Sequence, residues 1–88
     1  MQNASAINVL TRHKLRRDGD KFYAEPKTVV SVYLANGTQT LILDRIVSVE
    51  IHGDVAMIET ARHELYGVEL ADLRAVRVTP ESSGPGYR

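Results

Sequence analysis

The sequence predicts a mainly β protein, a small barrel of five strands preceded by a short helix or arm, and three observations carry that expectation. Residues 29–43 read VVSVYLANGTQTLIL, two alternating segments hinged on Asn36-Gly37. Residues 46–60 alternate again on either side of His52-Gly53-Asp54. Residues 64–79 carry two further short runs with apolar residues at every second position, separated by Ala71-Asp72-Leu73. Alternation over four to eight residues is the mark of a half-buried strand, and a short Gly-containing link between two such runs marks a hairpin.

Taken in order, residues 5–17 (SAINVLTRHKLRR) read as a short helix, with Ser5 as its cap, Ile7 and Leu10 on one side and Gly19 beyond its end. Asp18-Gly19 offers a competing reading, a hairpin joining Lys14–Arg17 to Asp20–Tyr23. Pro26 closes this section by pushing its predecessor toward extended backbone. In the first hairpin of the body, Asn36-Gly37 supplies the two positive-φ residues of a type I′ turn. That loop pairs Ala35 with Thr38, Leu34 with Gln39, Val32 with Leu41 and Val30 with Leu43, placing Val30, Val32, Leu34, Leu41 and Leu43 on one face.

Asp44-Arg45 then reads as the bend of one long strand, with a bulge that exposes Arg45. With Gly53-Asp54 as the second loop, Ile51 opposes Ala56, Val49 opposes Ile58 and Val47 opposes Thr60; a three-residue loop would instead turn Val55 and Met57 inward. The fourth strand is expected over Glu64–Leu70 with Tyr66, Val68 and Leu70 inward. A brief 3₁₀ turn at Ala71-Asp72-Leu73 then precedes a fifth strand, Ala75–Thr79. The domain division that follows is a basic amino-terminal arm, helical or hairpin, over 1–27, a β-barrel over 28–79, and a flexible tail over 80–88 (PESSGPGYR).

Composition sets the limits on function. Eighty-eight residues make one small domain whose core is thin enough that association with another chain is a natural supplement. The absence of cysteine removes disulfides, thiolate metal sites and cysteine nucleophiles. No apolar run reaches the roughly 20 residues of a membrane span, and no basic segment followed by an apolar stretch opens the chain, so a soluble cytoplasmic protein without membrane contact is expected. The formal charge is zero, but residues 1–27 hold six Lys/Arg against three Asp/Glu, and residues 28–88 five against eight. A basic arm on an acidic body either engages a polyanion or folds back on its own domain.

Five short strands, one long and bent, with a turn before the fifth, read as a small SH3-like barrel. Two family resemblances fit that outline. VSVYLANG, preceded by a basic helix and ending in LADLRAVRVTP, resembles the Hfq branch of the Sm-like family, over residues 29–80. That resemblance implies a helix, a five-stranded barrel with a bent second strand, and ring assembly for RNA binding. This chain has Leu41-Ile42 where Hfq-like proteins carry a glycine, and Val68-Glu69-Leu70-Ala71 where they carry a lysine-histidine pair, so no RNA-contact residue carries over. VYLANGTQTLILDRIVSVEIHGDVAMIE is similar to the CooT-like small barrels, which implies nickel handling through a cysteine beside the initiating methionine; this chain has Gln2 and no cysteine.

Catalytic and metal chemistry find little support in the residues. His52 at a hairpin tip and His63 beyond the return strand stand about 25–35 Å apart on extended backbone, and His13 lies in the amino-terminal section. Asp44, Glu50, Asp54, Glu59, Glu64 and Glu69 fall at outward or turn positions, where carboxylates keep a sheet soluble. There is no GxGxxG and no GxxxxGK. Phe22, Tyr23 and Tyr33 are stacking-capable aromatics, of which Tyr33 lies on a firm strand and reads as an outer-face packing residue. The expectation is a non-enzyme without cofactor or metal site, a binding and assembly module that self-associates or docks a protein partner. Its interface candidates are the outward apolar residues Val29, Tyr33, Ile42, Ile46, Met57 and Leu65. The alternative is an Sm-like nucleic-acid-binding protein using Arg12, Lys14, Arg16 and Arg17, and a second alternative is a metal-handling accessory protein.

Overall fold

Local sequence rules account for each element of the computed structural model, which describes residues 1–81. Helix α1 (Asn3–Arg12) is followed by eight strands: β1 (Arg16–Asp18), β2 (Lys21–Tyr23), β3 (Thr28–Asn36), β4 (Gln39–Leu43), β5 (Ile46–His52), β6 (Val55–Thr60), β7 (Leu65–Glu69) and β8 (Leu73–Pro80). A 3₁₀ turn, Leu70–Asp72, lies between the last two, one residue ahead of its expected place. The strands form a five-stranded antiparallel sheet in the order β1-β2-β5-β6-β7 and a three-stranded one in the order β4-β3-β8. The chain is mainly β with one short helix. The expected small five-stranded barrel is met only roughly: the described residues form eight strands in two sheets, and no ladder joins one sheet to the other, so β1, β4, β7 and β8 all end as edges.

The amino-terminal section is both of the structures that its sequence offered as alternatives. The helix starts at Asn3 with Gln2 as its cap, so Ser5 sits inside it. It stops at Arg12, five residues earlier than the periodicity suggests, because Lys14 adopts a left-handed φ of +63°. The Lys14 N–H then reaches Thr11 O at 3.0 Å and the Leu15 N–H reaches Leu10 O at 3.3 Å, the paired bonds of a Schellman motif. Its customary hydrophobic contact is present as well, since Leu10 and Leu15 are both buried in the one core. Beyond it β1 and β2 form the hairpin, turning through Gly19 (φ +65°) and Asp20. β2 continues into the body, pairing Phe22 with Val49 of β5. Residues 1–27 are therefore no separate arm: Ala6, Leu10, Leu15 and Phe22 belong to the same core as Val30, Val32, Ile58 and Leu73.

The first body hairpin keeps its predicted face but not its register. β3 pairs Val32 with Leu43, Leu34 with Leu41 and Asn36 with Gln39, two residues displaced from the Asn36-Gly37 expectation. Gly37 has φ +65° and Asn36 does not have a positive φ, so the loop is Gly37-Thr38, with glycine at the first central position as a type II′ turn requires. An even displacement leaves every side chain on its original face. Val30, Val32, Leu34 and Leu43 are accordingly buried, while Leu41, expected inward, stays 42% exposed.

Between β4 and β5, Arg45 takes φ +54°, which carries the chain from the edge of one sheet into the middle of the other. The bulge lies two residues later than expected. Ile46 opposes Thr60 and Ser48 opposes Glu59, so Val47 is the extra residue. Its insertion reverses the local alternation, turning Ile46 into the core and Val47 to the surface. The rest of the β5–β6 hairpin has its predicted register, Ile51 with Ala56 and Val49 with Ile58. β8 runs to Pro80, opposite Thr28, and the Glu81 N–H donates to Lys27 O at 2.8 Å. The expected tail over 80–88 thus begins as ordered backbone, and the remainder of it lies outside the described residues.

Candidate functional site

At β4 the three-stranded sheet ends in an edge that exposes apolar side chains on both faces. Its burial falls off abruptly: Leu34 on the neighbouring strand is buried, whereas Leu41 directly opposite it is 42% exposed although it points to the same inner face. Ile42, on the outer face, is 48% exposed. A strand exposed on both faces overhangs the layer beneath it. Two grooves lie between β4 and β7. The polar one, about 340 Å³, is lined by Asp44, Arg45, Thr60, Arg62, Glu64 and Tyr66 together with Ile42. The second, about 290 Å³, is lined by Leu34, Leu41 and Val68 together with Glu69 and Asp72.

The polar groove is held by short-range bonds that the fold supplies. The β6–β7 turn closes with the Thr60 N–H on Glu64 O at 2.9 Å and the His63 N–H on Thr60 O at 3.0 Å, with His63 at φ +66°. The Glu64 carboxylate accepts from the Thr60 hydroxyl and the Tyr66 hydroxyl, each at 3.3 Å. Across the groove, the fully buried Ser31 hydroxyl donates to Asp44 Oδ1 at 2.6 Å. Both carboxylates act here as acceptors that fix loop geometry. Among the described residues, no three His, Asp or Glu side chains gather closely enough to hold a metal ion.

The six interface candidates do not form one patch. Ile46 is in the core, for the bulge reason given above, and is removed from the set. Val29, Tyr33 and Ile42 lie on the outer face of the three-stranded sheet, where Tyr33 and Ile42 are direct cross-strand neighbours. The Arg77 guanidinium lies 5.9 Å from the centre of the Tyr33 ring and covers part of it. Met57 and Leu65 lie on the outer face of the other sheet; Met57 packs beside Gly67, and Leu65 is 64% exposed. Leu41 is an exposed apolar residue that sequence reasoning missed. Its parity marked it as core, and only the overhang of β4 exposes it.

The basic candidates are also dispersed. Arg12 is on α1 with its Nε bonded to Asn8 Oδ1 at 3.1 Å, and Lys14 is the left-handed residue after the helix. Arg16 and Arg17, adjacent on β1, point to opposite faces: Arg16 lies over the Tyr23 ring at 4.8 Å, Arg17 over the Phe22 ring at 5.3 Å. Lys14 and Lys27 (φ +66°) instead border a second hollow of about 380 Å³ with a floor of Leu15, Val30 and Val78. Both lysines occupy a backbone region usually left to glycine, which no signal in the sequence announces.

No helix of the described residues is long and apolar enough to cross a membrane. No family model, no curated protein and no solved structure matches this chain.

Proposed function

We propose that this protein is a non-catalytic binding and assembly module that works through protein–protein contacts and self-association. The observation that carries the reading is the β4 edge, a strand with apolar side chains exposed on both faces beside an open groove. Apolar groups concentrated at an unpaired strand edge are costly to leave in water and template pairing with another chain. The helix and the bent passage from β4 to β5 are elements that the Sm-like resemblance implies. A ring or smaller assembly built on an SH3-like framework is in keeping with them.

The nucleic-acid alternative has less in its favour. A polyanion-binding surface gathers its cations along one track, and here Arg16 and Arg17 face opposite ways while Arg12 lies on the helix. Light scattering coupled to size exclusion tests the reading, with absorbance followed at protein and nucleic-acid wavelengths. The expected result is a nucleic-acid-free assembly larger than a monomer, which Ile42→Asp converts toward monomer while retaining its β-rich circular dichroism. A monomer at all concentrations that captures no protein partner refutes it, and co-purified RNA transfers the function to the Sm-like alternative.

A further inference from the structure

We infer that two copies of this chain pair through β4, in antiparallel register about Leu41, to form one continuous six-stranded sheet with the order β8-β3-β4-β4-β3-β8. The inference rests on the self-association reading above and names the surface and the occupant.

Among the described residues four strands end in free edges, and they differ in how they resist pairing. β1 is Arg-Arg-Asp; β8 carries Arg74, Arg77 and Pro80; β7 carries Gly67 and ends in Glu69. Charged side chains and proline are the usual protection of an edge. β4 reads Gln-Thr-Leu-Ile-Leu, with no charge, no proline and no glycine. It is the one strand edge among the described residues that lacks both charge and proline, and its apolar side chains Leu41 and Ile42 are exposed on opposite faces.

The hydrogen-bonding pattern fixes how a second copy fits. Asn36 and Gln39 close a two-residue loop, so they form a hydrogen-bonded pair, and Leu34 with Leu41 and Val32 with Leu43 repeat it at every second position. The backbone groups of Gln39, Leu41 and Leu43 are therefore directed at β3, and those of Thr40 and Ile42 point out from the edge. Antiparallel pairing of two β4 strands about Leu41 sets Ile42 of each copy against Thr40 of the other. All four outward N–H and C=O pairs are then satisfied within the strand. Leu41 meets its own counterpart on the inner face in the close, non-hydrogen-bonded position, beside the groove that it lines with Leu34 and Val68.

Charge agrees with this register. Asp44 falls opposite Thr38 of the second copy and Arg45 opposite Gly37, so no like charges meet across the two-fold axis. The surface is self-complementary, which is what an isologous contact requires, and using up β4 leaves only protected edges outside. The assembly stops at two. A peptide strand from another protein is a competing occupant of the same edge, but nothing in β4 selects a charged or proline-rich sequence, and a second copy supplies its own uncharged complement.

The chain has no cysteine, so a single introduced thiol reports the register directly. Directly opposed residues at a non-hydrogen-bonded antiparallel position have Cα atoms about 4.5 Å apart. That lies within the span of about 4.4–6.8 Å that a disulfide bridges. Leu41→Cys is expected to form a covalent dimer under mild oxidation. Ile42→Cys should not, because its counterpart lies two residues along and on the diagonal, and Leu41→Lys should weaken the dimer at least about tenfold by placing two ammonium groups side by side. A light-scattering dimer together with cross-linking of the Leu41→Cys variant supports the inference. A dimer or larger assembly that Leu41→Lys leaves intact, and that Leu41→Cys does not cross-link, overturns the β4 contact while keeping self-association. A monomer throughout overturns both.

Discussion

Replacing Phe22 by Ala tests whether the first 27 residues belong to the folding unit. Phe22 is 0% exposed, pairs with Val49 in the centre of the five-stranded sheet, and has the Arg17 guanidinium 5.3 Å from its ring centre. An aromatic side chain of this kind buries about 150–250 Å². Transfer at about 25 cal/mol per Å² gives roughly 4–6 kcal/mol as an upper figure. Truncations of buried aromatics in protein cores cost about 3–5 kcal/mol, and that lower range is the expected effect. The whole stability of an 88-residue domain is about 4–13 kcal/mol at about 0.05–0.15 kcal/mol per residue. The substitution therefore removes a quarter of the stability at the least, and all of it at the worst. With a urea m-value of about 1 kcal/mol per molar, the midpoint should fall by about 3 M or more in an equilibrium titration followed by circular dichroism. Phe22→Leu, keeping most of the apolar volume, should lose under about 1.5 kcal/mol and shows that the effect is packing. A Phe22→Ala midpoint within about 0.5 M of the parent, with the same m-value, would instead mean that the helix and the β1–β2 hairpin are detachable from the core.

Two further substitutions examine local features. Ser31→Ala removes the buried donor on Asp44 and should cost about 1 kcal/mol in urea titration, with Asp44→Ala/Ser31→Ala double-mutant coupling of similar size. A coupling near zero would mean that the bond is solvent-exchanged. Lys14→Gly should raise stability by about 0.5–1 kcal/mol, because glycine takes the left-handed position at no steric cost and this gain exceeds its added unfolded-state entropy. An unchanged or lower midpoint would show that the lysine side chain itself holds the adjoining hollow together.

The legible part of this fold was the part governed by side-chain parity. Period-two alternation placed Val30, Val32, Leu34, Val49, Ile51, Ala56 and Ile58 inward, and all are buried. Parity survived even the two-residue register error at Gly37-Thr38, because an even slip does not change faces. It failed at Val47, where one inserted residue exchanged the roles of Ile46 and Val47 and removed Ile46 from the interface candidates. A bulge has no side-chain signature of its own in this stretch, since Ile and Val suit either face. The helix end was hidden for a related reason: the Schellman motif that stops α1 is built on Lys14 rather than glycine, so composition favoured continuation to Arg17. The candidate site was half legible. Ile42 stood out as an outward apolar residue, whereas the exposure of Leu41 is a tertiary property of where the opposite sheet ends.

That tertiary property traces back to the amino-terminal section. β5 has two sides to offer; β6 takes one along most of its length, and β2 takes the other at Ser48, Val49 and Glu50. β3, for its part, is occupied on both sides by β4 and β8. With the interior strands saturated, joining the two sheets would require β4 or β8 to meet β1 or β7, and no such ladder forms among the described residues. The hairpin that the sequence disguised as a basic arm thus contributes to keeping the sheets apart, and the aromatic residue that anchors it, Phe22, lies in the centre of the core. An open edge at β4 is consequently a product of the way the core is built. Its Gln39–Leu43 sequence carries neither charge nor proline, the residues that commonly protect such an edge from pairing.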